Sequence, residues 1–361
     1  MHRRPLTWPA LVRSQARLPL ALAAAYDGRV LGSIVRVLVG TAREDEAIVG
    51  GVAASVIRPG RGEGPWPAVV LFPGITRPGR AHPALRAIGR GLAASGRLAI
   101  VAEPEGLATG ELTPTSVLQA RAAVEGALSR PDVAHGRAAL VGVSGGGTLA
   151  LLTAADASLA ERVSIVLALA PLNDVSEAIR VITTGVYRDG ATIVPFVSGD
   201  FFKLVIAKSV VACLPPGDER TALRSRLQSL DDYAPEPLTC LREWPRDELG
   251  AAARAVVELL SNDVPERFDD LYAALPESLR TGVDLLSPII VATQITAPVE
   301  LVVARADKYI ALADALSFAE TCRTARLTIL ESLTHVVPTI SPTAARDLAR
   351  FDGILVRLLA A

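Results

Sequence analysis

Short apolar runs alternate with amphipathic stretches in two separated parts of the chain. Ala68–Phe72, Arg97–Ala102, Ala138–Val143 and Val163–Ala170 are each strand-length and rich in Val, Ile, Leu and Ala. Between the second and third of these, Val117, Ala120, Val124, Ala127 and Leu128 fall on one helical face, with Thr115 or Ser116 placed as the cap. A second helical pattern covers Thr148–Ala160. Short buried strands alternating with such helices predict a mostly parallel sheet covered on both faces, because each crossover lays a helix on the sheet. Before this pattern, Ala47–Pro59 reads as one or two early strands, followed by a Gly- and Pro-dense loop over 60–67.

The alternation stops near Pro171 and resumes near Pro298. Charged helical blocks fill the interval, Asp218–Leu230 and Arg246–Leu260 among them, broken by prolines at 215, 235 and 237, with no run that reads as a buried strand. After it come strands at Val299–Ala304 and Arg326–Leu330, a helix over 311–323 between them, and a terminal helix opened by Ser341-Pro342 and running to Leu359. The expected architecture is therefore α/β: a sheet flanked by helices, with an inserted helical cap and an N-terminal helical leader. The expected divisions are a leader over 1–45, ending at Arg43-Glu-Asp-Glu46, a first core part over 46–171, the insertion over 172–289 and a second core part over 290–361. Leu18–Tyr26 superficially resembles a secretory signal, but Arg13 and Arg17 interrupt its approach, and an amphipathic helix lying on the core is the preferred reading.

Composition narrows the function. The chain has 361 residues, 50% hydrophobic and 21% charged, which is enough apolar material for a large core. The formal net charge of −1 supplies no field for nucleic acid or acidic lipid. No run reaches the roughly 20 apolar residues of a membrane-spanning helix, although contact of the leader with a membrane surface stays open. Cys213, Cys240 and Cys322 are too few and scattered for a disulfide framework or zinc site and suit a reducing, cytoplasmic setting. No metal or organic cofactor is called for by any motif, and the oligomeric state is not legible.

The chemistry centres on Gly142-Val-Ser-Gly-Gly146, a G-x-S-x-G pattern entered from a predicted strand and left by a predicted helix. A sharp turn there exposes the Ser144 hydroxyl at the carboxyl edge of the sheet, near a helix N-terminus that favours developing negative charge. The run lacks the Lys-Ser/Thr of a phosphate-binding P-loop and does not match G-x-G-x-x-G. A serine hydroxyl needs a base to take its proton. Of four histidines, His2 sits in the leader, His135 in the loop before the Ser144 strand, at the far end of the sheet, and His82 in an Arg- and Pro-rich loop. His335 follows the last strand on the edge where Ser144 emerges and is the preferred base. Its orienting carboxylate is Asp307, three residues beyond the strand Val299–Ala304, with Asp174 in Pro171-Leu-Asn-Asp as the rival.

The order Ser144, Asp307, His335, each following its own strand, resembles the α/β-hydrolase family over about residues 47–171 and 290–361. The resemblance implies that the insertion shapes the substrate pocket. It also implies an oxyanion hole made by the backbone N–H of Gly145 and, from the loop after Leu71-Phe-Pro-Gly74, that of Ile75; many members carry His-Gly where this chain has Pro73-Gly74. Phe196, Phe201, Phe202 and Trp244 are candidates for an apolar acyl pocket, with Gly199-Asp200-Phe201-Phe202 as the preferred wall. The expected activity is hydrolysis of a small-molecule carboxylic ester through an acyl-enzyme. The same three side chains also serve a thioesterase, an acyltransferase or a peptidase, and a non-catalytic binding protein of this fold is the alternative from another class.

Overall fold

The computed structural model describes residues 14–15, 39–190 and 192–361. Nearly all of the expected helical leader lies outside these residues. Its last part is not leader: Arg43–Val49 is strand β1, which pairs antiparallel with β2 (Val52–Arg58). The run Arg43-Glu-Asp-Glu46 reads as a charged terminus because β1 is a sheet edge. Its outward carboxylates pair with Arg58, Arg80 and Arg86, the device by which charged side chains keep an exposed edge from pairing further.

The remaining strands are β3 (Trp66–Phe72), β4 (Leu98–Ala102), β5 (Val133–Val143), β6 (Val163–Leu169), β9 (Val299–Ala304) and β10 (Ala325–Leu330). With β1 and β2 they form one sheet in the order β1-β2-β4-β3-β5-β6-β9-β10, antiparallel at the β1/β2 and β2/β4 pairings and parallel from β4 onward. Every residue of β4 and β9 is buried, which is why β4 reads as an unbroken apolar run and β9 as one interrupted only by Glu300, whose carboxylate accepts from Arg357 of the terminal helix. β5 starts earlier than expected and takes in His135, whose φ of 62° marks an irregular entry to the strand.

Helices α1 (Pro83–Ala94), α2 (Pro114–Leu128) and α3 (Gly145–Ala154) cover the first half of the sheet. The cap of α2 is Thr113, one turn ahead of the serine with which it shares a reciprocal capping box: Thr113 Oγ1 accepts from the Ser116 N–H and Ser116 Oγ from the Thr113 N–H. Pro114 then occupies the first helical position, so Thr115 is already inside the helix. All ten residues of α3 are buried, because it lies between the sheet and its neighbours.

Between β6 and β9 the chain is mostly helical: α4 (Val175–Thr184), α5 (Asp200–Ala212), α6 (Asp218–Gln228), α7 (Thr239–Arg242), α8 (Ala251–Leu260), α9 (Phe268–Ala273), α10 (Glu277–Asp284) and α11 (Pro288–Val291). The one pairing of strands among its described residues is a small hairpin, β7 (Val186–Asp189) with β8 (Thr192–Pro195), largely exposed and separate from the main sheet. After β9 come α12 (Leu312–Thr321), β10, a two-stranded turn of β11 (Leu333–Thr334) and β12 (Val337–Pro338), and α13 (Ala344–Ala360). No helix among the described residues is long and apolar enough to cross a membrane.

Candidate active site

Ser144 stands between the end of β5 and the first turn of α3, with φ 51° and ψ −123°. That backbone conformation is rare for a residue with a side chain and is held only by its surroundings. Two glycines make it possible. A Cβ on Gly142 would lie 2.1 Å from the carbonyl oxygen of Gly146, and one on Gly146 would lie 2.3 Å from those of Phe72 and Pro73. The Ser144 N–H is tied to the Leu169 carbonyl of the neighbouring strand at 2.7 Å, and its own carbonyl accepts from Gly147 and Thr148.

Asp307 lies in the loop after β9. Its Oδ1 accepts from the N–H groups of Tyr309 (2.8 Å) and Ile310 (3.2 Å), which fixes the carboxylate plane. Its Oδ2 faces His335 Nδ1 at 2.7 Å, and His335 Nε2 faces Ser144 Oγ at 3.0 Å. Since an ionised carboxylate only accepts, Nδ1 carries the ring proton and Nε2 is left to accept from the serine hydroxyl. The Asp307 and His335 side chains are 6% and 9% exposed, so the pair sits in a medium where its electrostatic interaction is strong. His335 itself has φ 56° and opens the two-residue turn between β11 and β12. The root of that turn is fastened by Asp347 of α13, whose Oδ2 accepts from the N–H groups of Glu331 and Ser332. Burial would raise the Asp347 carboxyl, yet these hydrogen bonds hold it below the usual carboxylate range.

The structure thus brings Ser144, His335 and Asp307 into one hydrogen-bonded row. Asp174 is elsewhere engaged: it is the N-cap of α4, accepting from the Glu177 N–H and the Ser176 hydroxyl. Ile75 and Gly145 adjoin the row, and a Cβ on Gly145 would meet Ile75 Cγ1 at 2.9 Å. Neither backbone N–H of these two donates to an acceptor among the described residues.

Beside the row is a cavity of about 450 Å³ whose lining includes Ser144, His335, Ile75 and Gly145. Leu172, Val205 and Ile206 supply part of its apolar wall, together with Phe201 and Phe202 at the start of α5. Phe196 and Trp244 are not among its lining; Phe196 packs edge-on against Tyr187 of the hairpin, which carries it away from the site. His82 does reach the cavity, from the cap of α1, where its Nδ1 accepts from the Ala84 N–H. The residue that sequence reasoning misses is Tyr309. It joins the cavity lining, lies near Phe201 and Phe202 at centroid distances of 5.9 and 6.3 Å, and meets His335 at 5.0 Å. Its position two residues after Asp307 is the one local signal that could have raised it.

No family model matches the chain, and no curated protein matches it in sequence. Among solved structures it is similar to dipeptidyl peptidase 4 of Porphyromonas gingivalis, with a TM-score of 0.51 and 13% identity, over 91% of this chain and 37% of that one. It is also similar to a thermophilic carboxylesterase cloned from a metagenomic library (TM-score 0.48, 16% identity, 98% and 96% covered). A third is the 2,6-dihydroxy-pseudo-oxynicotine hydrolase (TM-score 0.47, 14% identity, 88% and 67% covered). The chain has the α/β-hydrolase fold: an eight-stranded, mostly parallel sheet flanked by helices, with a helical insertion between its sixth and seventh strands in chain order.

Proposed function

We propose that this chain is a serine hydrolase that cleaves a carboxylic ester through an acyl-enzyme. The observation that carries the reading is the row Asp307–His335–Ser144, with spacings of 2.7 and 3.0 Å, opening onto the 450 Å³ cavity. Ser144 Oγ attacks the ester carbonyl carbon while His335 Nε2 takes its proton, and Asp307 stabilises the imidazolium so formed. The carbonyl oxygen becomes an oxyanion facing the free N–H groups of Ile75 and Gly145, each such donor worth about 3 kcal/mol to the transition state. Collapse breaks the bond to the alcohol oxygen, which leaves with the proton returned by His335. Water then repeats the cycle on the acyl-serine, giving its proton to His335 and releasing the acid and the free hydroxyl.

The test is the time course with p-nitrophenyl acetate. A burst of p-nitrophenolate approaching one equivalent, followed by slower turnover and lost in Ser144→Ala, is the expected result. Folded protein that releases nitrophenolate equally well with and without the Ser144 hydroxyl would remove the nucleophile from the scheme.

A further inference from the structure

Among the described residues that line the 450 Å³ cavity, none apart from the histidines His82 and His335 is of a charged type. Two of the other polar side chains in the lining, Thr148 and Ser209, are committed to backbone groups of the protein. Thr148 Oγ1 donates to the Leu172 carbonyl and accepts from its N–H, and Ser209 Oγ donates to the Val205 carbonyl and accepts from the Leu112 N–H. Charged groups begin immediately behind one wall. A second pocket of about 50 Å³ is lined by Asp174, Glu177, Asp314 and Arg188. The two spaces share Leu172, Phe202, Tyr309 and Ile310, so these four side chains are the partition between them. Phe202 and Tyr309 stack at 6.3 Å with planes 28° apart, and Phe202 is buried at 9% exposure.

Resting on the proposed ester hydrolysis, we infer that this cavity selects a neutral, apolar acyl group, and that Phe202, backed by Tyr309, determines specificity by keeping the acyl tail out of the acidic space behind. The physical reason is desolvation. A carboxylate or ammonium carried into the cavity loses its water and meets no counter-charge among the described lining residues, a penalty that an apolar tail escapes while gaining burial against Leu172, Val205, Ile206 and the two phenylalanines. Behind the partition, Asp174, Glu177 and, above about pH 7, Asp314 face the guanidinium of Arg188 and that of Arg180, which pairs with Glu177, so at pH 8 opening the partition favours a cationic tail over an anionic one.

The experiment uses p-nitrophenyl esters of one tail length, ending in methyl, methyl ester, carboxylate or trimethylammonium. The wild-type chain is expected to cleave the two neutral esters with similar kcat/KM and both charged ones about 100-fold less well. Charged esters cleaved within a few-fold of the neutral ones, on protein whose Ser144 still gives a burst, overturn the inference and leave ester hydrolysis standing. No ester cleaved and no burst overturns the hydrolase reading instead. At pH 8, Phe202→Ala, with Phe202→Leu as the milder variant, is expected to move the best acyl length upward and to raise the trimethylammonium ester relative to the carboxylate ester. An unchanged length profile and charge ratio in both folded variants would show that Phe202 is not the partition.

Discussion

Tyr309 meets His335 edge to face: the ring centroids are 5.0 Å apart and the planes stand at 83°. The same tyrosine is gripped from the insertion, where Ser198 Oγ donates to its carbonyl and the Gly199 N–H to that of Lys308. Tyr309 therefore touches the proposed base through its ring and the insertion through its backbone.

Gly199 gives access to that link. Its φ of −68° and ψ of 148° suit any residue, so alanine introduces no backbone strain there. The added Cβ would, however, lie 2.9 Å from Tyr309 Cε1, and the ring must move. Gly199→Ala is expected to lower kcat by about 10- to 100-fold, the scale on which small misplacements act, with little change in melting temperature. The double variant Gly199→Ala/Tyr309→Leu, which relieves the contact, should recover part of the loss relative to the single variant. Strict additivity in that cycle would show that the two side chains do not act together.

Asp307→Asn separates hydrogen bonding from charge. The amide oxygen can still accept from the Tyr309 and Ile310 N–H groups, but its NH₂ then faces His335 Nδ1 and reverses the tautomer. A fall in kcat on the order of 10⁴, with KM little altered, is the expected outcome of steady-state kinetics. A variant retaining more than a tenth of wild-type kcat would assign the orienting role elsewhere.

Asp314 makes stability depend on pH. Burial, with the Asp174 carboxylate nearby, pushes its carboxyl up to about 7, against hydrogen bonds from Asn173 and from the Asp174 N–H. The folded value exceeds the unfolded value of about 3.9, so the folded chain holds this proton more tightly. Its contribution to stability is complete below about pH 4 and is lost as pH rises towards 7. Asn at this position does not titrate. The unfolding free energy of wild type minus that of Asp314→Asn, from urea titrations, should fall by about 2–3 kcal/mol between pH 5 and pH 8. A difference constant over that range would mean that Asp314 is ionised throughout.

Legible in the sequence are the features that local pattern determines. β4, buried on both faces, announces itself as an apolar run, and β9 does so but for Glu300; the strand-Gly-x-Ser-x-Gly-helix order marks the Ser144 turn because Gly142 answers to Gly146 within five residues, although Gly146 itself answers to the distant carbonyls of Phe72 and Pro73. His335 stands out through chain order and the scarcity of histidines. The charged edge strand β1 escapes a local reading because its outward side chains answer to arginines far along the chain, and Phe196 because the small hairpin that removes it from the cavity carries no buried pattern. Tyr309 is invisible as a contact of His335, since that meeting exists only once two loops converge on one edge of the sheet.

The most direct measurement is covalent. Incubation with a fluorophosphonate, followed by intact mass and peptide mapping, should add one phosphonyl group to wild-type protein on Ser144, none to folded Ser144→Ala, and far more slowly to His335→Ala. Folded wild-type protein that remains unlabelled, or carries the label on another residue, would contradict the proposed nucleophile.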